Sequence, residues 1–282
     1  MSSVTLQPSE MVGPSELLFR MHARRDDREL VSAAVFAAKL TSLIKAIQQA
    51  DRAINHGVIV HDYKIAKLKS SSPTVLLSEV PLPKFEDRYD IEPAIPAMGA
   101  CLEAVIAGET DRARQFGNCA AVLSRLAAGS VKTFGYAEVW TGPKQVYRVD
   151  SFLHDRATAV VHPAKVHEAA NDQWFKGAVF GSFDGEVRVV DTRGELPEIK
   201  LILSAGHQEI DCVCRADQIE LVAASINKRV RIFGRAIYDG TSGLPRRVEV
   251  SNFEPVASGV EFSKWKGAFR PFEPSPWPDG DS

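Results

Sequence analysis

The stretch Lys228–Val250, "KRVRIFGRAIYDGTSGLPRRVEV", decides how the C-terminal half of this 282-residue chain is read. Val230 and Ile232 alternate with Arg229, Arg231 and Arg235. Successive side chains on a strand point to opposite faces, so this segment has one apolar and one basic face. The alternation stops at "DGTSGLP", which is rich in turn-forming residues, and resumes at Arg246 and Arg247. Two strands joined by a Gly-rich turn are expected, and a core must lie against their apolar side.

Working back from this pair, "WFKGAVFGSFDGEVRVV", "EIKLILSAG" and "HQEIDCVCR" read as three further strands. "ADQIELVAASIN" reads as a short helix, with Ile219, Leu221, Val222 and Ile226 at near-helical spacing. The order strand, strand, strand, helix, strand, strand over Trp174–Val256 resembles an OB-type five-stranded barrel. In that fold a helix plugs one end between the third and fourth strands. The glycines of the first strand suit the bends of a sharply coiled strand. The resemblance is one of order and length, and it implies a binding face on the barrel. The whole chain also resembles bacterial proteins of mobile or accessory gene clusters, a likeness that no single motif carries.

Toward the N-terminus, Ser15–Arg25 alternates as a strand. Phe36, Leu40, Leu43, Ile44, Ile47 and Ile54 then recur at three- and four-residue spacing, forming one stripe on a helix. Gly57 is placed to end that helix. Val58–Val80 has period two around "SSSP" and reads as a hairpin; "PLPKFEDRYDIEP" is a loop. Pro96–Ala128 is helical with breaks at Gly108 or Gly117, and Val131–Trp140 is a strand followed by a Gly-Pro turn. The expected fold class is α+β: an N-terminal split-βαβ-like sheet with helices on one face, followed by a C-terminal OB-like five-stranded barrel. The expected boundaries are a flexible start over 1–14, an α+β domain over 15–149, a junction over 150–173, the barrel over 174–256 and a Pro- and aromatic-rich tail over 257–282.

Composition bounds the function. At 45% hydrophobic and 25% charged residues the chain can bury a core. A net charge of -2 gives no long-range attraction for polyanions or anionic membranes, so any nucleic-acid site must be a local patch. The four cysteines are too few for a disulfide framework, no signal peptide or spanning segment is visible, and a cytoplasmic protein is expected. Cys212 and Cys214 share one face of a strand and read as core, while His154, His162 and His167 lack metal-site spacing. Neither a cofactor nor a metal is expected. A G-x-S-x-G elbow, a phosphate-binding P-loop and a dinucleotide-binding glycine motif are all missing from the sequence.

The leading expectation is therefore a non-enzymatic binding protein. Arg229, Arg231, Arg235, Arg246 and Arg247 are its candidate phosphate contacts to a single-stranded nucleic acid, with Phe233 or Tyr238 as stacking residues. Against this, Trp174–Val256 holds 11 Lys and Arg but 12 Asp and Glu, without the positive excess that drives such binding. The alternative is an adaptor or subunit that docks a protein through the same barrel face and the tail. There Trp265, Phe269, Phe272 and Trp277 are the candidate anchors among prolines. An enzyme with a site assembled from distant segments is the third reading.

Overall fold

A computed structural model of the chain describes residues 12–24, 30–69, 73–130, 132–143, 145–162, 174–193 and 195–256. The N-terminal half runs β1 (Glu16–His22), α1 (Ala33–Ile54), β2 (His61–Lys69), β3 (Thr74–Pro81), α2 (Ala94–Ala107), α3 (Thr110–Arg114), α4 (Cys119–Ala127), β4 (Tyr136–Trp140), β5 (Val146–Val149) and α5 (Ser151–Val161). The strands form one antiparallel sheet in the order β2-β3-β1-β4-β5. Its first four strands follow the split-βαβ order.

Alternation fixes what each face of this sheet meets. Leu17, Phe19 and Met21 on β1, with Ala137 and Val139 on β4, turn toward the helices. There they meet Leu43, Ala46, Ile47 and Ala50, the buried stripe of α1. Arg20, His22, Glu138 and Arg148 occupy the opposite parity, on the helix-free face. The chain leaves α1 through Gly57 (φ 84°), whose N–H donates to the Arg52 carbonyl at 2.8 Å. It leaves α2 through Gly108 in the left-handed conformation.

Two elements go beyond the sequence reading. β5 extends the sheet where a turn was expected, pairing Val146 with Trp140 and Val149 with Ala137. It has four residues, one of them an arginine, so its alternation is too short to stand out. α5 occupies the first half of the expected junction, burying Phe152, Leu153, Arg156, Ala157 and Val160. The buried arginine in that set blurs its helical period. His154 on α5 is half-buried, its Nδ1 lying 2.9 Å from the Ser124 carbonyl.

The C-terminal half comprises β6 (Lys176–Asp191), β7 (Glu198–Leu203), β8 (Glu209–Val213), α6 (Ile219–Ala223), β9 (Arg229–Asp239) and β10 (Arg247–Pro255). The strands close into a barrel in the order β10-β8-β7-β6-β9, with β8 and β10 parallel and the other junctions antiparallel. This is the OB-like arrangement. Val187, Leu201, Cys212, Val230, Ile232 and Val248 fill it, and Val222 of α6 is buried with them. Cys212 and Cys214 are both in this core, as their shared parity implied, and burial raises both thiols, Cys214 to about 11.

Barrel closure depends on β6 changing partner partway along. It pairs with β9 over Lys176–Glu186 and with β7 over Gly185–Asp191. At the crossover, a Cβ on Gly185 would lie 2.4 Å from the Ile202 carbonyl oxygen and 2.9 Å from Leu201 Cγ. Gly185→Ala is expected to cost about 1–3 kcal/mol, because backbone on a neighbouring strand must shift to admit one methyl group. Urea unfolding checks this, and a variant as stable as the wild type would show that the seam adapts freely.

Candidate binding surface and the buried junction beside it

The outer surface of β9 carries Arg229, Arg231, Phe233 and Arg235 in alternation. The register places Glu186, Asp184, Ser182 and Phe180 of β6 beside them on one side. Glu254, Asn252 and Glu249 of β10 lie on the other. Each of these arginines meets a carboxylate on an adjacent strand. Arg229 Nε lies 2.6 Å from Asp184 Oδ1, Arg231 Nη2 3.9 Å from Asp184 Oδ2, and Arg235 Nε 3.5 Å from Glu249 Oε2. The hydrogen bond from Arg229 holds the Asp184 carboxyl below the usual carboxylate range. Between the pairs the apolar side chains remain open: Phe180 is 75% exposed and Phe233 37%.

The remaining candidate residues are dispersed. Tyr238 points inward, packs on the barrel core and meets the Phe175 ring edge-on at 5.5 Å. Arg246 is exposed at the far end of the hairpin, 3.8 Å from Asp155 of α5. Arg247 is buried at 6% exposure, facing the N-terminal half. Its outward parity on β10 is the one the sequence implied, but another part of the chain covers it. Trp265, Phe269, Phe272 and Trp277 lie outside the described residues. The outer surface of β7 and β8 is acidic: Lys200 is held by both Glu209, at 2.5 Å, and Asp211, at 3.2 Å.

What covers Arg247 is a buried polar junction. Asp150 caps α5 by accepting the Leu153 N–H at 3.2 Å. Its Oδ2 also accepts from Arg148 Nε at 3.0 Å and from Arg247 Nη2 at 2.7 Å. Arg148 continues the junction to the Leu196 carbonyl at 2.6 Å and to Glu198 Oε2 at 2.8 Å, both on the barrel side. The two guanidinium planes rest on aromatic rings, Arg148 on Tyr136 at 3.7 Å and Arg247 on Phe152 at 4.1 Å. Burial raises the Asp150 carboxyl, but the charges of Arg247 and Arg148 outweigh it, so its pKa lies below the ordinary value. Beside this, Glu138 accepts the N–H groups of Glu195 (2.6 Å) and Leu196 (3.1 Å), fastening the β6–β7 connection to the sheet. Ile237, the next outward residue of β9 after Arg235, joins the N-terminal hydrophobic core.

A second buried cluster had no motif to announce it. His61 Nδ1 lies 3.1 Å from Asp51 Oδ1 and 3.2 Å from Glu79 Oε1. Asp51 also accepts the Val60 and His61 N–H groups and the Asn55 amide. Glu79 accepts the Ala94 N–H at the start of α2. These residues come from α1, β2 and β3, and only the fold brings them together. The sequence trace they leave is a carboxylate on the buried stripe of α1.

No protein-family model matches the chain, and a search of curated proteins finds no match. Among solved structures, the chain is similar to an OBody, NL8, bound to hen egg-white lysozyme, at 14% identity and a TM-score of 0.23, covering 29% of this chain and 98% of that one. A second OBody, AM3L15, also bound to hen egg-white lysozyme, gives 13% identity and a TM-score of 0.23, covering 34% and 88%. The S. pombe Stn1-ten1 complex gives 12% identity and a TM-score of 0.24, covering 31% and 63%. None of these supports the expected likeness of the whole chain to bacterial accessory-gene proteins.

Proposed function

We propose that this chain is a protein-binding adaptor or subunit whose docking surface is the outer face of β6, β9 and β10. The observation that carries this reading is the pairing of Arg229, Arg231 and Arg235 with Asp184 and Glu249 around the exposed rings of Phe180 and Phe233. An apolar centre rimmed by charges that already neutralise one another suits a protein partner. A phosphate backbone would have to compete with Asp184 and Glu249 for every guanidinium. The expectation of single-stranded nucleic acid is weakened by that competition and by the burial of Arg247. The tail anchors Trp265, Phe269, Phe272 and Trp277 form a second docking element in this proposal.

A photo-crosslinking amino acid at position 233, in the full chain in its native cells, tests the reading. Discrete protein adducts are expected at 233, lost when Phe180→Asp is added and absent from a probe at Tyr89, which is exposed elsewhere on the molecule. In parallel, labelled single-stranded DNA and RNA should show no salt-sensitive binding between about 50 and 200 mM salt, the range over which phosphate contacts declare themselves. Salt-sensitive binding abolished by Arg229→Ala with Arg231→Ala would overturn the proposal in favour of nucleic acid.

A further inference from the structure

We infer that β6 is a self-pairing edge, through which two copies of the chain join antiparallel about a twofold axis at Phe180. This does not rest on the docking reading, although Phe180 belongs to both surfaces, and the register-specific cysteine pairs below separate the two.

The inference begins from unused backbone. β6 pairs with β9 in unbroken register from Lys176 to Glu186, but its second ladder, to β7, begins only at Gly185. Along Lys176–Asp184 the strand therefore has a neighbour on one side alone among the described residues, apart from the Asp184 carbonyl, which accepts the Ser204 N–H. A long, regular edge is a template for another strand, and soluble proteins normally blunt such edges with bulges and lysines. The edge strand β2 is blunted in this way: its register shifts between Ile65 and Lys67, and it carries Lys64 and Lys67. The free part of β6 has no register shift and a single lysine, Lys176. Phe180 and Val179 at its middle and Phe175 just before it are largely exposed.

Its sequence identifies the occupant. The midpoint of Lys176–Asp184 is Phe180, so antiparallel pairing of two copies that uses the whole edge sets Phe180 opposite Phe180, Ala178 opposite Ser182 and Lys176 opposite Asp184. Opposed residues on paired strands approach to about 5 Å, and opposite charges there are favourable. Lys176 has no ion pair among the described residues, and in this register it would join the second copy's Asp184, which Arg229 and Arg231 of its own chain already approach. Shifting the register toward Glu186 would run into the β7 ladder, and shifting it the other way would leave part of the edge unpaired. A twofold contact is also self-limiting, closing at two copies where a heterologous edge contact would propagate.

Cysteine crosslinking of the full-length protein tests this. Cys101, Cys119, Cys212 and Cys214 are all buried, so background reaction is low. Opposed residues in an antiparallel pair have Cα atoms about 4.5 or 5.5 Å apart, both within disulfide reach. Under mild oxidation Phe180→Cys should form a covalent dimer nearly completely. Ala178→Cys and Ser182→Cys should each stay largely monomeric alone but crosslink when mixed and allowed to exchange. Light scattering of the wild type should give twice the 30.9 kDa chain mass, and Phe180→Asp, with an unchanged circular dichroism spectrum, should halve it. A monomeric wild type at every concentration overturns the inference. So does a dimer whose three cysteine variants crosslink without regard to register, since its interface then lies elsewhere.

Discussion

Asp150→Ala is expected to lower the unfolding free energy by about 3–5 kcal/mol, the range for removing one member of a buried ion-paired set. Asp150 is 5% exposed and answers both Arg148 (7%) and Arg247 (6%), so its loss removes the shared counter-charge of two buried guanidinium groups. Arg148 retains Glu198 and the Leu196 carbonyl, whereas no second carboxylate pairs with Arg247 among the described ion pairs. The loss should therefore appear mainly as loosening of β10 from α5. The cap on α5 disappears as well, so Asp150→Asn, which keeps an acceptor for the Leu153 N–H, should cost clearly less. The folded pKa of Asp150 is depressed, so its contribution is fully present above the unfolded value of about 3.9 and is lost as pH falls through the folded one. Urea unfolding of wild type and both variants at neutral pH measures these differences. A loss below about 1 kcal/mol for the alanine variant would mean that the two arginines find other partners on relaxation.

The architecture was legible where local pattern and tertiary role coincide. The α1 stripe reads correctly because Leu43 and Ile47 are periodic and buried for the same reason, with Phe36, Leu40 and Ile44 packed against the same core. The barrel order reads correctly because β7 and β9 alternate buried and more exposed residues along most of their length. What escaped was set by contacts between distant segments. Arg20, His22, Glu138 and Arg148 occupy the polar parity of their strands, which looks like a solvated sheet face. The β6–β7 connection covers that face, and Glu138 is fully buried. Arg247 was assigned the correct side of its strand, but strand parity carries no information about what the other half of the chain lays over it. The candidate surface was legible in part. Arg229, Arg231, Phe233 and Arg235 do share a face, whereas their neutralisation by Asp184 and Glu249 depends on registers that no single segment encodes.

The Asp51–His61–Glu79 cluster makes the second large effect a pH-dependent one. One imidazole nitrogen stands between two buried carboxylates, with the buried Tyr63 beside them and Asn55 on Asp51. Burial works against the charged imidazole, but the hydrogen bond to Asp51 and the charges of Glu79 and Asp51 outweigh it, so the His61 pKa is raised. A raised folded pKa contributes stability that is complete below the unfolded value of about 6.5 and is lost as pH rises through the folded one. Glu79 is also raised, chiefly by burial, so its ionisation costs stability as pH rises from the unfolded carboxyl value through the folded one. Asp51 moves the other way: burial raises it, but hydrogen bonds from His61 and Asn55 prevail, and it stays ionised well into acid. Wild-type stability should thus decline from about pH 6 to pH 8. His61→Phe keeps a ring of similar width but leaves the two carboxylates facing each other without a proton donor between them. It should cost about 3–5 kcal/mol near pH 5, where the wild-type imidazole carries its charge between the two carboxylates, the magnitude of breaking a buried ion pair. As pH rises through the folded pKa of His61 the wild type loses that contribution, so the deficit of the variant should shrink toward pH 8. Urea unfolding of both proteins across this range provides the measurement. An equal deficit at both ends would assign the loss to packing around the ring and remove the charge coupling from the account.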